Sequence, residues 1–131
     1  MREQPDAAEL IAAVAAFLRD EAMPALDGRL AFHARVAANV LDIVGRELAL
    51  GPAAEAREGA RLASLVGDGS DPAAASAALC AAIRAGTIPF DDPSLVAHLW
   101  STTLDTLAID QPRYETYRRA AAIAAGKNGE E

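Results

Sequence analysis

The chain has little cysteine and few aromatic residues: one Cys, three Phe, two Tyr and one Trp among 131 positions. Cys80 alone cannot form a disulfide within the chain, and no Cys/His spacing typical of a zinc site occurs. No segment shows the two-residue alternation of a half-buried strand. The longest apolar run, Leu10 to Leu18, is far shorter than the roughly 20 residues that cross a membrane. The sequence therefore predicts neither a metal centre nor a membrane protein.

Motifs of catalysis and cofactor binding are absent as well. The stretch from Gly67 to Ser70 lacks the Lys-Ser or Lys-Thr of a phosphate-binding loop, and no GxSxG or HExxH pattern occurs. A net charge of −7 without an evident basic face argues against nucleic-acid binding. The N-terminal residues lack the apolar core of a signal peptide. We expect a soluble cytoplasmic protein with no catalytic residues of a known type, no metal and no cofactor.

Alanine is abundant, at 33 of 131 residues. It favours helix and lets helices approach closely, but each side chain removes little apolar area from water. We therefore expect a small core that gains from burial against a second chain. A homo-oligomer is one way to supply that chain.

Capping signals and helical spacing predict an all-α, single-domain bundle of about five to six helices over residues 1–131, with 126–131 as a flexible tail. Asp-Pro pairs mark two of the helix starts. The predicted helices run from Asp6 to about Ala22, from Asp27-Gly28 to Gly51, from Pro52 to Val66, from Asp71-Pro72 to Ala85, from Asp92-Pro93 to about Ile109, and onward from Asp110-Gln111-Pro112.

The second predicted helix is the longest and carries polar residues on its apolar face. At about 3.6 residues per turn, Arg29, His33 and Glu47 project from within that face, while Asn39 lies along one edge. His33 and Glu47 are about 20 Å apart along the axis, so they cannot form one site within this helix. The apolar residues of the face are Leu30, Phe32, Val36, Val40, Ile43, Val44 and Leu48.

Three roles are open for His33. A histidine on an apolar face is most often a hydrogen-bonded core or rim residue, because buried polar groups find partners. Binding of a partner and acid–base chemistry are the alternatives. Glu47 is expected to form a structural ion pair with a cation such as Arg57 or Arg61, and Arg29 either snorkels or shares a ligand with His33.

Two further clusters lie towards the C-terminus. On the fifth predicted helix, His98 falls opposite the apolar stripe and is expected to be solvated, while Trp100 is expected in the core, with an interface as the alternative. Arg113 and Tyr114 directly follow Pro112, in a short segment that combines charged, proline and aromatic residues. They are either part of a solvated charged surface or a phosphate or carboxylate contact.

Three stretches, LDGRLAFHARVAAN at 26–39, REL at 46–48 and LAIDQPRY at 107–114, resemble an uncharacterised bacterial family, a domain of unknown function. The segment from Gln4-Pro5-Asp6 to Arg19-Asp20 is similar too, so the resemblance covers most of the chain. Members of that family are small helical proteins encoded beside aminoglycoside-phosphotransferase-like kinases and acyl-CoA dehydrogenase-like proteins.

The resemblance implies a non-catalytic accessory or interaction subunit of such a kinase, in hydroxy-acid or acyl-CoA breakdown. The acidic net charge disfavours binding of anionic CoA itself. The alternatives are a small-molecule binding protein or enzyme that uses Arg29 and His33, and a homo-oligomeric helical scaffold. The candidate binding residues are Arg29, His33, Asn39, Glu47, Arg113 and Tyr114.

Overall fold

The computed structural model describes residues 4–126. This part of the chain contains no strand, which confirms the all-α prediction. It divides into two compact units, one up to Gly51 and one from Pro52 onward. None of its helices is both long and apolar enough to cross a membrane. The helical elements are α1 (Ala7–Phe17), a π-helical segment (Leu18–Ala22), α2 (Met23–Ala25), α3 (Gly28–Val66), α4 (Pro72–Arg84), α5 (Pro93–Asp110) and α6 (Glu115–Ala124).

Helix α1 begins at the predicted capping box. The Asp6 carboxylate accepts a hydrogen bond from the Glu9 N–H at 2.8 Å, and the Glu9 carboxylate accepts one from the Asp6 N–H at 2.9 Å. The helical path then extends beyond the expected end at Ala22, through the π-helical segment into α2. Pro24 therefore does not end the helical path as predicted, and α2 ends only at Ala25.

Small side chains are the buried ones in the first unit. Ala15 of α1 and Ala34 and Ala38 of α3 are only 4%, 8% and 0% exposed. Gly45 comes close to α1: a Cβ added there would lie 3.9 Å from Cγ2 of Ile11. The fully buried contacts of the first unit are therefore made by alanine, and many of the large apolar side chains of its helices are left exposed.

Helix α3 runs without a break through Gly51-Pro52, so the predicted helix end at Gly51 is wrong. Proline inside a helix removes one backbone hydrogen bond, and its ring disfavours helical backbone in the residue before it. Part of the second effect is a clash with the preceding Cβ, which Gly51 does not have. The lost backbone hydrogen bond is only one of many in a long alanine-rich helix. The Gly-Pro stop signal is overridden for these reasons.

The core of the second unit combines α3, α4 and α5. Leu62 and Leu95 are 0% and 1% exposed, and Ala75 and Leu79 complete the buried cluster. Partly buried side chains of Leu65, Val66, Ile83 and Ile88 pack around it.

Aspartate caps begin α4 and α5 as predicted. The Asp71 carboxylate accepts from the Ala73 and Ala74 N–H groups at 3.0 and 3.3 Å. Asp92 does the same for Ser94 and Leu95, at 2.9 and 3.0 Å.

The predicted start of the last helix is wrong. Asp110 is the final residue of α5, and Pro112 lies in a turn closed by the Tyr114 N–H, which donates to the Gln111 carbonyl at 3.0 Å. Helix α6 begins only at Glu115 and has no side-chain cap. Of the predicted tail at 126–131, residues 127–131 lie outside the described part of the chain.

Candidate interaction surface

Helix α5 turns its histidine-bearing side inward. Leu95, His98 and Ile109 are only 1%, 5% and 7% exposed. Thr102 and Asp105, both half-buried, fall on the same stripe at about 3.6 residues per turn. The prediction that His98 is solvated is therefore wrong.

Polar contacts with α3 explain this orientation. Nη2 of Arg61 donates to Oγ1 of Thr102 at 3.2 Å and lies 3.7 Å from a carboxylate oxygen of Asp105. Nη2 of Arg57 donates to the other Asp105 oxygen at 2.8 Å. Both arginines thus bind Asp105 of α5, and the expectation that one of them would pair with Glu47 is wrong. We call Arg57, Arg61, His98, Thr102 and Asp105 the polar cluster.

His98 is the most enclosed titratable group of the polar cluster. Its Nδ1 atom is buried without a hydrogen-bond partner among the described residues, and so is Nε of Arg61. Burial lowers the pKa of His98 below the ordinary 6.5, and the Arg61 charge lowers it further, while Glu58 acts in the opposite direction. The imidazole is therefore held in its neutral form. The polar contacts of the cluster join α5 to α3.

The opposite, more apolar side of α5 faces outward. Val96, Leu99 and Trp100 are 50%, 51% and 55% exposed. Trp100 was expected in the core, and that prediction is wrong. Exposed apolar side chains grouped on one helix face are typical of interaction sites, and tryptophan is a frequent anchor in protein interfaces. We call Val96, Leu99 and Trp100 the α5 face.

A second apolar surface lies on the part of α3 that belongs to the first unit. Its large side chains fall on the side opposite buried Ala34 and Ala38. The apolar face predicted from spacing is thus present in the helix, but it is not the buried side. We call this surface the α3 face; its exposed apolar members, between 40% and 58% exposed, are Leu30, Phe32, Val36, Val40, Val44, Leu48 and Leu50.

Arg29 and His33 are exposed on the α3 face, one helical turn apart. The His33 ring meets the Phe32 ring edge-on, with centroids 5.6 Å apart. His33 has no hydrogen bond within the described residues, so the expectation of a hydrogen-bonded core or rim histidine is wrong. The structure leaves it accessible to a partner.

Asn39 and Glu47 have different surroundings. The Arg19 guanidinium binds the Asp42 carboxylate and reaches Oδ1 of Asn39 at 3.5 Å, so Asn39 belongs to a contact between the π-helical segment and α3. Glu47 is exposed, with Oε1 only 2.7 Å from where a Cβ on Gly51 would be. It forms no ion pair within the described part of the chain.

Arg113 and Tyr114 lie in the turn before α6, and both are exposed. They belong to the second unit, whereas Arg29, His33, Asn39 and Glu47 belong to the first. The neighbouring Arg118 and Arg119 pair with Glu115 of their own helix, at 3.7 and 3.0 Å. Among the six candidate residues, Arg29, His33 and Glu47 share the α3 face; Arg29 and His33 are one turn apart, and Glu47 lies about 20 Å further along the helix.

A groove of about 260 Å³ lies between α1 and α3. Alanine side chains of α1 and Leu41, Gly45 and Ala49 of α3 form most of its lining, with charged groups from Asp42 and Arg46. None of the six candidate residues lines it. In the described part of the chain, no group of His, Cys, Asp and Glu side chains is arranged to hold a metal ion.

The polar cluster was not predicted from the sequence, although a signal for it exists. His98, Thr102 and Asp105 recur at helical spacing on α5, and Arg57 and Arg61 are one turn apart on α3. Two complementary polar stripes of this kind predict a helix pair joined through its polar sides.

These helices define a small all-α protein with exposed apolar surfaces, the α3 face and the α5 face among them. Residues 24–114 match the family described as Domain of unknown function (DUF6285), and the chain belongs to that family. The matched range includes the six candidate residues, the polar cluster and both apolar faces. No curated protein and no solved structure matches the chain.

Proposed function

We propose that this protein is a non-catalytic accessory subunit that binds another protein through the α5 face. The observation that supports this most is the inverted orientation of α5. The helix turns His98 and Asp105 inward and leaves Val96, Leu99 and Trp100 about half exposed. Exposing an apolar face costs stability in water, and a bound partner removes that cost.

The proposed partner is a bacterial aminoglycoside-phosphotransferase-like kinase that acts in hydroxy-acid or acyl-CoA breakdown, with both proteins in the cytoplasm. This class of partner is the one implied by the family resemblance of residues 26–39, 46–48 and 107–114. The chemistry of the surface suits a protein partner, because α5 exposes aromatic and aliphatic side chains and contains no Lys or Arg, and such a surface recognises apolar protein surface better than anionic CoA.

The alternative, a small-molecule site built on Arg29 and His33, has less support. These side chains lie on a convex helix face and do not line the groove between α1 and α3. Ligand sites are usually concave and enclose most of the ligand. We therefore assign Arg29 and His33 to protein contacts.

Co-expression of the chain with the adjacent kinase-like protein, followed by affinity capture and gel filtration, tests the proposal. We expect the two to elute together and the kinase activity to change when this chain is omitted. Trp100→Ala should weaken the complex by about 30-fold or more, the effect of losing an interface hot spot worth at least about 2 kcal/mol. Separate elution with unchanged kinase activity would contradict the proposal.

Val96 and Val40 provide a matched pair of variants, since both valines are 50% exposed but lie on different faces. Val96→Glu places a charge in the α5 face and should abolish capture of the kinase. Val40→Glu makes the same chemical change on the α3 face and should leave capture intact. Loss of capture by Val40→Glu but not by Val96→Glu would refute the assignment to α5.

A further inference from the structure

The α3 face has a symmetric arrangement of charge. Val40 lies midway in sequence between His33 and Glu47. At about 100° per residue, all three project from nearly the same side of the helix, and Arg29 does so as well. One end of the face therefore carries two basic side chains, and the other end carries a carboxylate.

The apolar residues repeat the same symmetry. Phe32 and Leu48 are equally distant from Val40, and so are Val36 and Val44. These four side chains are 55%, 46%, 41% and 40% exposed, which leaves the whole row accessible to another helix. The row is about 24 Å long, from the ~1.5 Å rise per residue.

A surface with this symmetry fits a second copy of itself in the antiparallel orientation. In a two-fold interface, residue i of one copy contacts residue j of the other, and j contacts i. A two-fold axis at Val40 places Glu47 of each copy opposite His33 of the other, with Arg29 one turn away. The same axis places Val36 opposite Val44.

The parallel orientation is disfavoured by the same charges. It would place the two Glu47 carboxylates against each other and the two Arg29 guanidinium groups against each other. Like charges brought together in an interface cost affinity and reject that arrangement.

We propose that the protein forms a homodimer through the α3 face, as an antiparallel helix pair centred on Val40, in which Glu47 of each copy binds Arg29 and His33 of the other. The pairing uses a different surface from the α5 face. It is therefore independent of the proposed kinase complex, and each can fail without the other.

Light scattering coupled to gel filtration of the full chain tests the dimer. The wild-type protein should have twice the chain mass of 13.6 kDa, and Val40→Glu, which opposes two carboxylates at the axis, should have the single-chain mass. Val96→Glu is the matched control and should remain dimeric. Circular dichroism checks that each variant keeps its helical content. A monomeric wild-type protein, or a dimer that survives Val40→Glu, overturns the proposal.

Cysteine cross-linking tests the orientation independently of any destabilising variant. In a Cys80→Ser background, a mixture of Val36→Cys and Val44→Cys chains should form a disulfide between copies. Val36→Cys alone should not, because its two copies would lie about 12 Å apart along the helix axis, beyond the roughly 7 Å limit between Cα atoms for a disulfide. Efficient self-linking of Val36→Cys would indicate a parallel pair and overturn the proposal.

Charge reversal tests the end contacts. Glu47→Arg changes two symmetric sites at once and should weaken the dimer by about tenfold or more. Adding Arg29→Glu and His33→Glu to Glu47→Arg restores opposite charges at both ends and should recover most of the affinity. Failure of the triple variant to recover affinity, with helical content unchanged, overturns the assigned register.

Discussion

Replacement of His98 by leucine tests whether the polar cluster holds a neutral, incompletely hydrogen-bonded imidazole. The two side chains have similar volumes, so His98→Leu removes the ring nitrogens without opening a large cavity. The bonds from Arg57 and Arg61 to Asp105 and Thr102 do not involve His98 and should persist. The variant therefore isolates the contribution of the imidazole.

The expected magnitude follows from the burial of Nδ1. His98 is 5% exposed, and its Nδ1 atom has no partner within the described residues. A buried polar group without a hydrogen bond costs about 1–3 kcal/mol. His98→Leu should raise the free energy of unfolding by an amount in that range at slightly alkaline pH. For a chain of this size, the melting temperature should rise by about 4 °C per kcal/mol.

The gain should be larger in acid. The pKa of His98 in the folded protein lies below the 6.5 of an unperturbed histidine. As the pH falls through 6.5, the unfolded chain takes up a proton before the folded one does, so the wild-type protein loses stability. That loss continues until the pH passes the lower, folded-state pKa, below which it is constant. Leucine cannot titrate, and His98→Leu should escape this loss.

Urea unfolding followed by circular dichroism, at about pH 8 and about pH 5.5 on either side of the ordinary histidine pKa, measures both effects. His98→Gln serves as the control, because it keeps a polar side chain but does not titrate. It should lose the pH-dependent part without the full gain at pH 8. If His98→Leu is destabilised at both pH values, or loses as much stability in acid as the wild-type protein, the described environment of His98 is wrong.

Two further stability predictions test the packing of each unit. Leu62→Ala should cost about 3 kcal/mol in urea unfolding, because Leu62 is 0% exposed, whereas Leu99→Ala on the α5 face should cost about 0.5 kcal/mol or less; equal losses would contradict the assigned core. Gly45→Ala should stabilise by up to about 1 kcal/mol, since its Cβ would meet Ile11 at an ordinary 3.9 Å and alanine favours helix. Gly69→Ala should instead destabilise, because a Cβ there would lie 2.1 Å from the Gly59 carbonyl oxygen; the reverse order in thermal unfolding would refute this contrast.

The helix starts were predictable because they depend on neighbouring residues. Asp6, Asp71 and Asp92 each accept hydrogen bonds from backbone N–H groups within the next three residues, so their effect is local. The continuation of α3 through Gly51-Pro52 was not predicted. The stability gained by continuing the helix depends on the rest of a long helix and not on this residue pair alone. Asp110 likewise could have capped a helix, but it ends α5 instead.

The candidate site was only partly predictable. Spacing correctly placed Arg29, His33 and Glu47 on the apolar side of the long helix, and the structure leaves that side exposed. Spacing also separated His98 from the apolar stripe of α5 but gave the wrong side as buried. Hydrophobicity alone favoured burial of Val96 and Trp100. The ion pairs from Arg57 and Arg61 to Asp105 join two helices, so the spacing within one helix does not predict them.

The sequence by itself determined which segments are helical, where most of them begin, and which residues share a face, because caps and the ~3.6-residue period act over a few neighbouring positions. Only the tertiary structure decided which face is buried. Close packing of Ala34 and Ala38 in one unit, and the pairing of Asp105 with two arginines in the other, involve residues distant in sequence. These contacts leave the α3 face and the α5 face exposed. A helical chain without a catalytic motif is thereby a candidate for binding a partner protein and a second copy of itself.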